Sequence, residues 1–218
     1  MKLESDPQSK KIVMRGPIGD FEGGVSANDF STLLADHEGQ DVTIEIDSEG
    51  GSVTEGLAIF NAISRHDGDV TVHIDTIAAS IATVICCAAS KVVMNSNAKF
   101  FVHRAWTVAA GNCREFQSTA KLLEMMDADI AMVYEEKTSM DKDEILALMD
   151  DETWFNAEDA LQKGFVDEIY KVESKSSQPQ DEPLAVVNLN NFTAQFKNKA
   201  TSLRLRALKD KTANRGVL

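Results

Sequence analysis

Three short segments carry residue types that could together perform acyl transfer: Gly50-Gly51, Ser80 and His103. Ser80 ends the run Asp75-Thr76-Ile77-Ala78-Ala79-Ser80, after a β-rich stretch at residues 70–74 and before an apolar, helix-like stretch at 81–89. A strand-to-helix corner exposes a hydroxyl beside backbone N–H groups that have no helical partner. A serine hydroxyl attacks a carbonyl only when a base takes its proton. Of the four histidines, His37 and His66 lie in polar, loop-like stretches and His73 lies inside a strand pattern. His103 alone ends an apolar strand run, after Phe100, Phe101 and Val102. The glycine pair lets backbone approach closely and could offer an N–H to an oxyanion. Each residue also has a plainer role: Ser80 as a helix N-cap, His103 as a structural imidazole, the glycines as a turn.

Composition narrows the classes. At 218 residues and 43% hydrophobic, the chain can bury one sizeable core but not two full domains. A net charge of −13 argues against nucleic acid as a primary partner, because phosphate neutralisation needs a basic face. The basic stretch at 197–215 reads as a solvated tail. No apolar run reaches the roughly eighteen residues of a membrane span, and the polar start lacks a signal-like stretch. A soluble, cytoplasmic protein with no membrane partner is expected. Cys86, Cys87 and Cys113 are odd in number and lack metal-type spacing, so neither a disulfide framework nor a metal site is expected. Cys86 and Cys87 read as small buried hydrophobes.

The elements that must position the candidates follow from periodicity. Residues 44–46, 70–74, 92–94 and 100–102 read as strands separated by helical patterns, which implies crossovers and a mainly parallel α/β sheet. The longest helical signal covers 114–137, with apolar residues spread around it; burial against another subunit and burial in one monomer's core both fit. A shorter helix near 140–149 and a last one at 157–163 follow, the latter capped by Gly164. Residues 174–183 form a polar linker, and 186–208 could make a short strand and helix. The expected division is 1–173 for the catalytic domain and 174–218 for the linker and basic tail.

Four segments, taken in order, carry a family resemblance: Ile46-Asp47-Ser48-Glu49-Gly50-Gly51-Ser52-Val53, Ile77-Ala78-Ala79-Ser80, Phe101-Val102-His103, and Glu152-Thr153-Trp154-Phe155-Asn156-Ala157-Glu158-Asp159-Ala160. They resemble the Clp protease proteolytic subunit, and more narrowly the Clp-type serine peptidases of phages and prophages, over residues 10–172. The resemblance implies a ClpP/crotonase-like fold of repeated ββα units with a long oligomerisation helix. It implies a serine endopeptidase with Ser80 as nucleophile, His103 as base and Glu152 as the orienting acid, Asp151 being the alternative acid and helix capping by either a further option. The N–H groups of Gly51 and Ile81 would form the oxyanion hole. The resemblance requires no metal and no organic cofactor. Its partners would be protein or peptide substrates, other copies in a homo-oligomeric ring, and an AAA+ unfoldase or a phage scaffold or capsid protein in head maturation. The chain has no P-loop pattern, so ATP dependence would come from another protein. Two departures stand out: Glu152 replaces the usual aspartate, and Glu49 replaces a proline beside the glycines. The first keeps a catalytically degenerate ring subunit in view. A crotonase-type acyl-CoA enzyme is the more distant alternative, since it needs no Ser-His pair.

Overall fold

Side chains alternate across a strand, so the apolar residues at 12, 14, 44, 46, 72 and 74 can bury only one face. The structure, a computed structural model, describes residues 3–172. In chain order its elements are β1 (Leu3–Asp6), β2 (Lys11–Arg15), α1 (Ala27–Ala35), β3 (Val42–Ser48), α2 (Val53–Ser64), β4 (Val70–Ala79) and α3 (Ile81–Cys87). Then come β5 (Lys91–Asn95), β6 (Lys99–Phe101), α4 (Cys113–Thr138), α5 (Lys142–Asp150), β7 (Trp154–Phe155), α6 (Ala157–Gln162) and β8 (Glu168–Tyr170). The sheet runs β1-β2-β3-β4-β5-β8, with β6 paired to β4 and β7 to β6. Only β1–β2 and β6–β7 are antiparallel; the other pairs are parallel. The mainly parallel α/β sheet and the long helix are both present.

One face of the sheet is dry. Ile12, Met14, Ile44, Ile46, Val72 and Ile74 share a core with Phe30, Ile59 and Ile85 of the helices. Burying each such side chain contributes about 1.5–3 kcal/mol. The other face is polar and half-buried: Lys11 pairs with Glu45, and Arg15 lies 3.8 Å from both Glu45 and Asp75. A smaller aromatic group fills the space under α4, where Phe165 packs against Phe100 (5.0 Å), Phe155 (5.3 Å) and Tyr134 (5.4 Å).

β4 extends to Ala79, beyond the run legible at 70–74, so Ser80 follows the strand directly. Along one edge it changes partner. Thr71–Ile74 pair with β5, and Ile77–Ala79 pair with β6. Asn95, at the end of β5, serves the backbone between them: its Nδ2 donates to the Asp75 carbonyl at 2.9 Å. Its Oδ1 lies 2.8 Å from His73 Nε2. An amide oxygen only accepts, so His73 carries its proton on Nε2.

Three readings change against the coordinates. α4 is core only at Asp127, Ile130, Ala131 and Tyr134, whereas Phe116, Leu122, Met125 and Met132 are 50–64% exposed. His37 lies in the turn after α1, as its polar surroundings imply, yet it is fully buried, its Nε2 2.8 Å from Ser5 Oγ. β1, α1 and β7, two to nine residues long, had no periodic signal strong enough to register. A compact unit closes at Val172. The linker, the strand and helix at 186–208 and the basic tail lie outside the described residues. Among the described residues no helix is long and apolar enough to cross a membrane.

Replacing Asn95 by Ala strands the Asp75 carbonyl and the His73 N–H at the partner change. Asn95→Ala is expected to lower stability by about 1–3 kcal/mol, measured by urea unfolding of the full chain.

Candidate active site

Ser80 joins β4 to α3 with φ 58° and ψ −131°, a conformation rarely adopted by residues with a Cβ. Such backbone costs on the order of 1–3 kcal/mol. Its hydroxyl makes no cap hydrogen bond, so the N-cap role does not hold. The residue is pinned by its backbone. Its N–H donates to the Phe101 carbonyl at 2.9 Å, and its carbonyl accepts from the Thr83 N–H at 3.0 Å.

The glycine loop lies against this corner. At Gly50 φ is 86°, and a Cβ there would sit 2.5 Å from the Ala79 carbonyl oxygen and 2.7 Å from Ser80 Cβ. At Gly51 a Cβ would meet the Ile18 carbonyl oxygen at 2.1 Å. Both positions need glycine for contact as well as for turning. Ile18 braces the loop as a strand would: its N–H donates to Gly50 O and its carbonyl accepts from Ser52 N–H, both at 2.9 Å. Backbone groups of successive residues point to opposite edges, so the N–H of Gly51 faces away from Ile18. Buried Ser48 completes the brace, accepting from Gly50 N–H at 3.1 Å and donating to Gly16 O at 2.7 Å. Sequence reading passes over both residues. A serine two places before a glycine is a legible turn signal, but nothing local marks Ile18.

His103 lies two residues past β6 and stacks on Phe101 at 5.1 Å; Phe101 stacks in turn on Trp154 at 4.2 Å. The antiparallel register pairs Phe100 with Phe155 and Phe101 with Trp154. It carries on to Val102, whose N–H donates to Thr153 O at 3.0 Å. Beyond Thr153 the extended pairing ends: Asp151 closes α5 in helical backbone, and Glu152 forms the turn between α5 and β7. Glu152 itself has φ 51°. It follows α5 at the position where a helix usually ends on glycine: Glu152 N–H donates to Met149 O (3.3 Å) and Thr153 N–H to Leu148 O (3.2 Å). Neither acid starts the next helix; Asn156 caps α6. The fold therefore gathers Gly50, Gly51, Ser80, Ile81, His103 and Glu152 around the carboxyl ends of β3, β4 and β6, where open α/β sheets hold ligands.

Charge supports the same segment. Arg104 forks onto Asp150 with two hydrogen bonds of 2.8 Å and reaches Asp127 at 3.5 Å. Asp127 also accepts the Ala105 N–H at 2.6 Å. Burial raises the Asp127 carboxyl, partly offset by that N–H and by Arg104. Asp150, exposed, is lowered by its hydrogen bond from Arg104. Cys86, buried, and Cys87, half-buried, behave as small apolar thiols, whereas Cys113 is exposed. Burial pushes Cys86 well up and Cys87 to about 12, which keeps both protonated. Among the described residues no cluster of three or more His, Cys, Asp or Glu side chains could hold a metal ion.

Gly50→Ala is expected to displace the Ser80 corner and to lower stability by about 1–3 kcal/mol, read from urea unfolding of the full chain. Arg104→Ala removes the cation beside buried Asp127 and is expected to cost about 1–2 kcal/mol, read from thermal unfolding at neutral pH.

Comparison with known proteins agrees with this fold. The family model for Clp protease matches residues 7–173. The ATP-dependent Clp protease proteolytic subunit 2 of Tropheryma whipplei is 30% identical over 139 residues, which cover 63% of this chain and 77% of that protein. The ATP-dependent Clp protease proteolytic subunit of Bacteroides fragilis is 26% identical over 162 residues, 73% of this chain and 78% of that protein. Among solved structures, a ClpP1 mutant from Listeria monocytogenes superposes with a TM-score of 0.66 at 25% identity, covering 76% of this chain and 94% of that one. A shared sheet, a family model matching most of the chain and relatives of one kind lead to one assignment: the chain belongs to the Clp protease family, a family of peptidases.

Proposed function

We propose that this chain is a serine endopeptidase with Ser80 as nucleophile, His103 as general base and Glu152 as the acid that orients the imidazole. His103 takes the Ser80 proton as the oxygen attacks the peptide carbonyl, and the N–H groups of Gly51 and Ile81 stabilise the oxyanion. The imidazolium then protonates the leaving amine, and water releases the acyl group by the same route. The peptidase unit is residues 1–173.

The observation that carries this reading is where the backbone is strained. Among the described residues only Lys10, Ser80, Ser139 and Glu152 have positive φ without being glycine. Two of the four are the residues whose side chains the chemistry needs. Strain of this kind persists where a side chain is required that glycine cannot provide. Glu152 is favoured over Asp151 as the acid because Asp151 closes α5 in ordinary helical backbone, whereas Glu152 is the strained residue that leads into β7.

The exposed apolar side chains of α4, Phe116, Leu122, Met125 and Met132, support assembly with further copies of the chain into a ring. The relatives are named as subunits of ATP-dependent proteases, and an unfolding motor for this chain would be a separate protein.

Intact-mass analysis after fluorophosphonate treatment tests the nucleophile. One adduct per chain is expected, lost in Ser80→Ala and His103→Ala; an unlabelled native assembly would instead identify a degenerate ring subunit. Glu152→Gly is expected to be about 1 kcal/mol more stable than the native chain while losing about a thousandfold in kcat. Asp151→Asn should retain near-native rates. Met125→Glu combined with Met132→Glu should reduce the assembly to smaller species in sedimentation velocity.

A further inference from the structure

The carbonyl of Ser80 is held more tightly than an ordinary helix start requires. Besides the Thr83 N–H, it accepts a hydrogen bond from Thr83 Oγ1 at 2.5 Å. That hydroxyl lies 2.6 Å from the phenol oxygen of Tyr134, on α4. Both side chains are buried, Thr83 at 0% and Tyr134 at 1% exposure. The proton order follows by elimination. A carbonyl only accepts, so the single Thr83 hydroxyl proton goes to Ser80 O, and Tyr134 must donate to Thr83 Oγ1. Burial raises the Tyr134 phenol above its ordinary value, which keeps that donor protonated.

A trans peptide is planar, and its C=O and N–H point in opposite directions. The carbonyl of Ser80 and the N–H of Ile81 belong to one such plane. Drawing the carbonyl inward toward Thr83 turns the Ile81 N–H outward, on the side of the Ser80 corner where Gly50 closes in. Rotation of this plane would withdraw the N–H and aim an oxygen at the developing negative charge instead.

We propose that Thr83 and Tyr134 are positioning residues that lock the Ser80–Ile81 peptide with its N–H toward the substrate carbonyl, fixing one oxyanion donor from beneath. The role rests on the serine-peptidase reading above, because it presumes that an oxyanion forms beside Ser80. A hydrogen-bonded relay strengthens each link by polarising the next, so loss of the phenol is felt at the carbonyl. Neither residue touches substrate.

The test uses the full-length assembly with Thr83→Val, Thr83→Ser and Tyr134→Phe. Thr83→Val and Tyr134→Phe are expected to slow fluorophosphonate acylation and kcat about tenfold to a hundredfold, with KM changed by no more than about twofold. Thr83→Ser keeps the donor and should stay within about threefold of the native rate. Amide hydrogen exchange across residues 81–87 should rise in the two slow variants. Native kcat and acylation in both, even with a lower Tm, would overturn the proposal and leave the pair as packing. If the native chain takes no label, or Ser80→Ala still does, the nucleophile assignment fails on its own. Exchange then decides the lock: a rise at Ile81 supports it, and native exchange in both variants overturns it.

Discussion

β4 has ten residues and one edge to satisfy with two partners. That requirement organises the molecule, because its first half pairs with β5 and its second half with β6. A strand that kept one neighbour throughout would carry β5 on toward Ser80. Handing over to β6 sets Phe101 beside Ala79 in register, so the chain after β6 reaches the Ser80 corner with His103 two residues on. β6 in turn pairs with β7, which brings the turn carrying Glu152 to the same place. β3, on the other edge, ends at Ser48 and delivers the glycine loop. Asn95 makes the handover tolerable by serving a carbonyl that neither partner strand reaches.

Around that junction, contacts are made by backbone wherever position matters. Ser80, Gly50, Val102 and Thr153 are all tied by main-chain hydrogen bonds of 2.9–3.0 Å. Main-chain ties hold a side chain at a fixed origin while leaving it free to react, which suits a site built for repeated chemistry. The side chains that stiffen it, Ser48 and Thr83, are small and buried. Arg104 works from the surface, fastening the segment after His103 to both α4 and α5.

Much of this was legible in the residues. Strand alternation, the Gly50-Gly51 pair, the small residues before Ser80 and the apolar run into His103 all follow local rules of period and turn chemistry. The elements that escaped, β1, β7 and the far half of β4, exist because a neighbour offers an edge, and sequence separation hides that neighbour. Glu152 shows the limit most clearly. Its composition says only acid near a helix end, whereas its left-handed backbone depends on α5 stopping where β7 must turn to pair with β6. Tyr134 likewise reads as one apolar residue among many on α4, and its hydroxyl gains meaning only beside Thr83.

The left-handed backbone at Ser80 and Glu152 also has a meaning over evolutionary time. On the proposed serine-peptidase mechanism, fold stability and chemistry pull these two sites in opposite directions, and only chemistry opposes glycine there. Two of the six serine codons and both glutamate codons are one base away from a glycine codon. In a lineage where the proposed ring is kept but the proposed cleavage no longer matters, nothing restrains that step. Glycine at either position would then mark a copy whose selection has passed from catalysis to assembly.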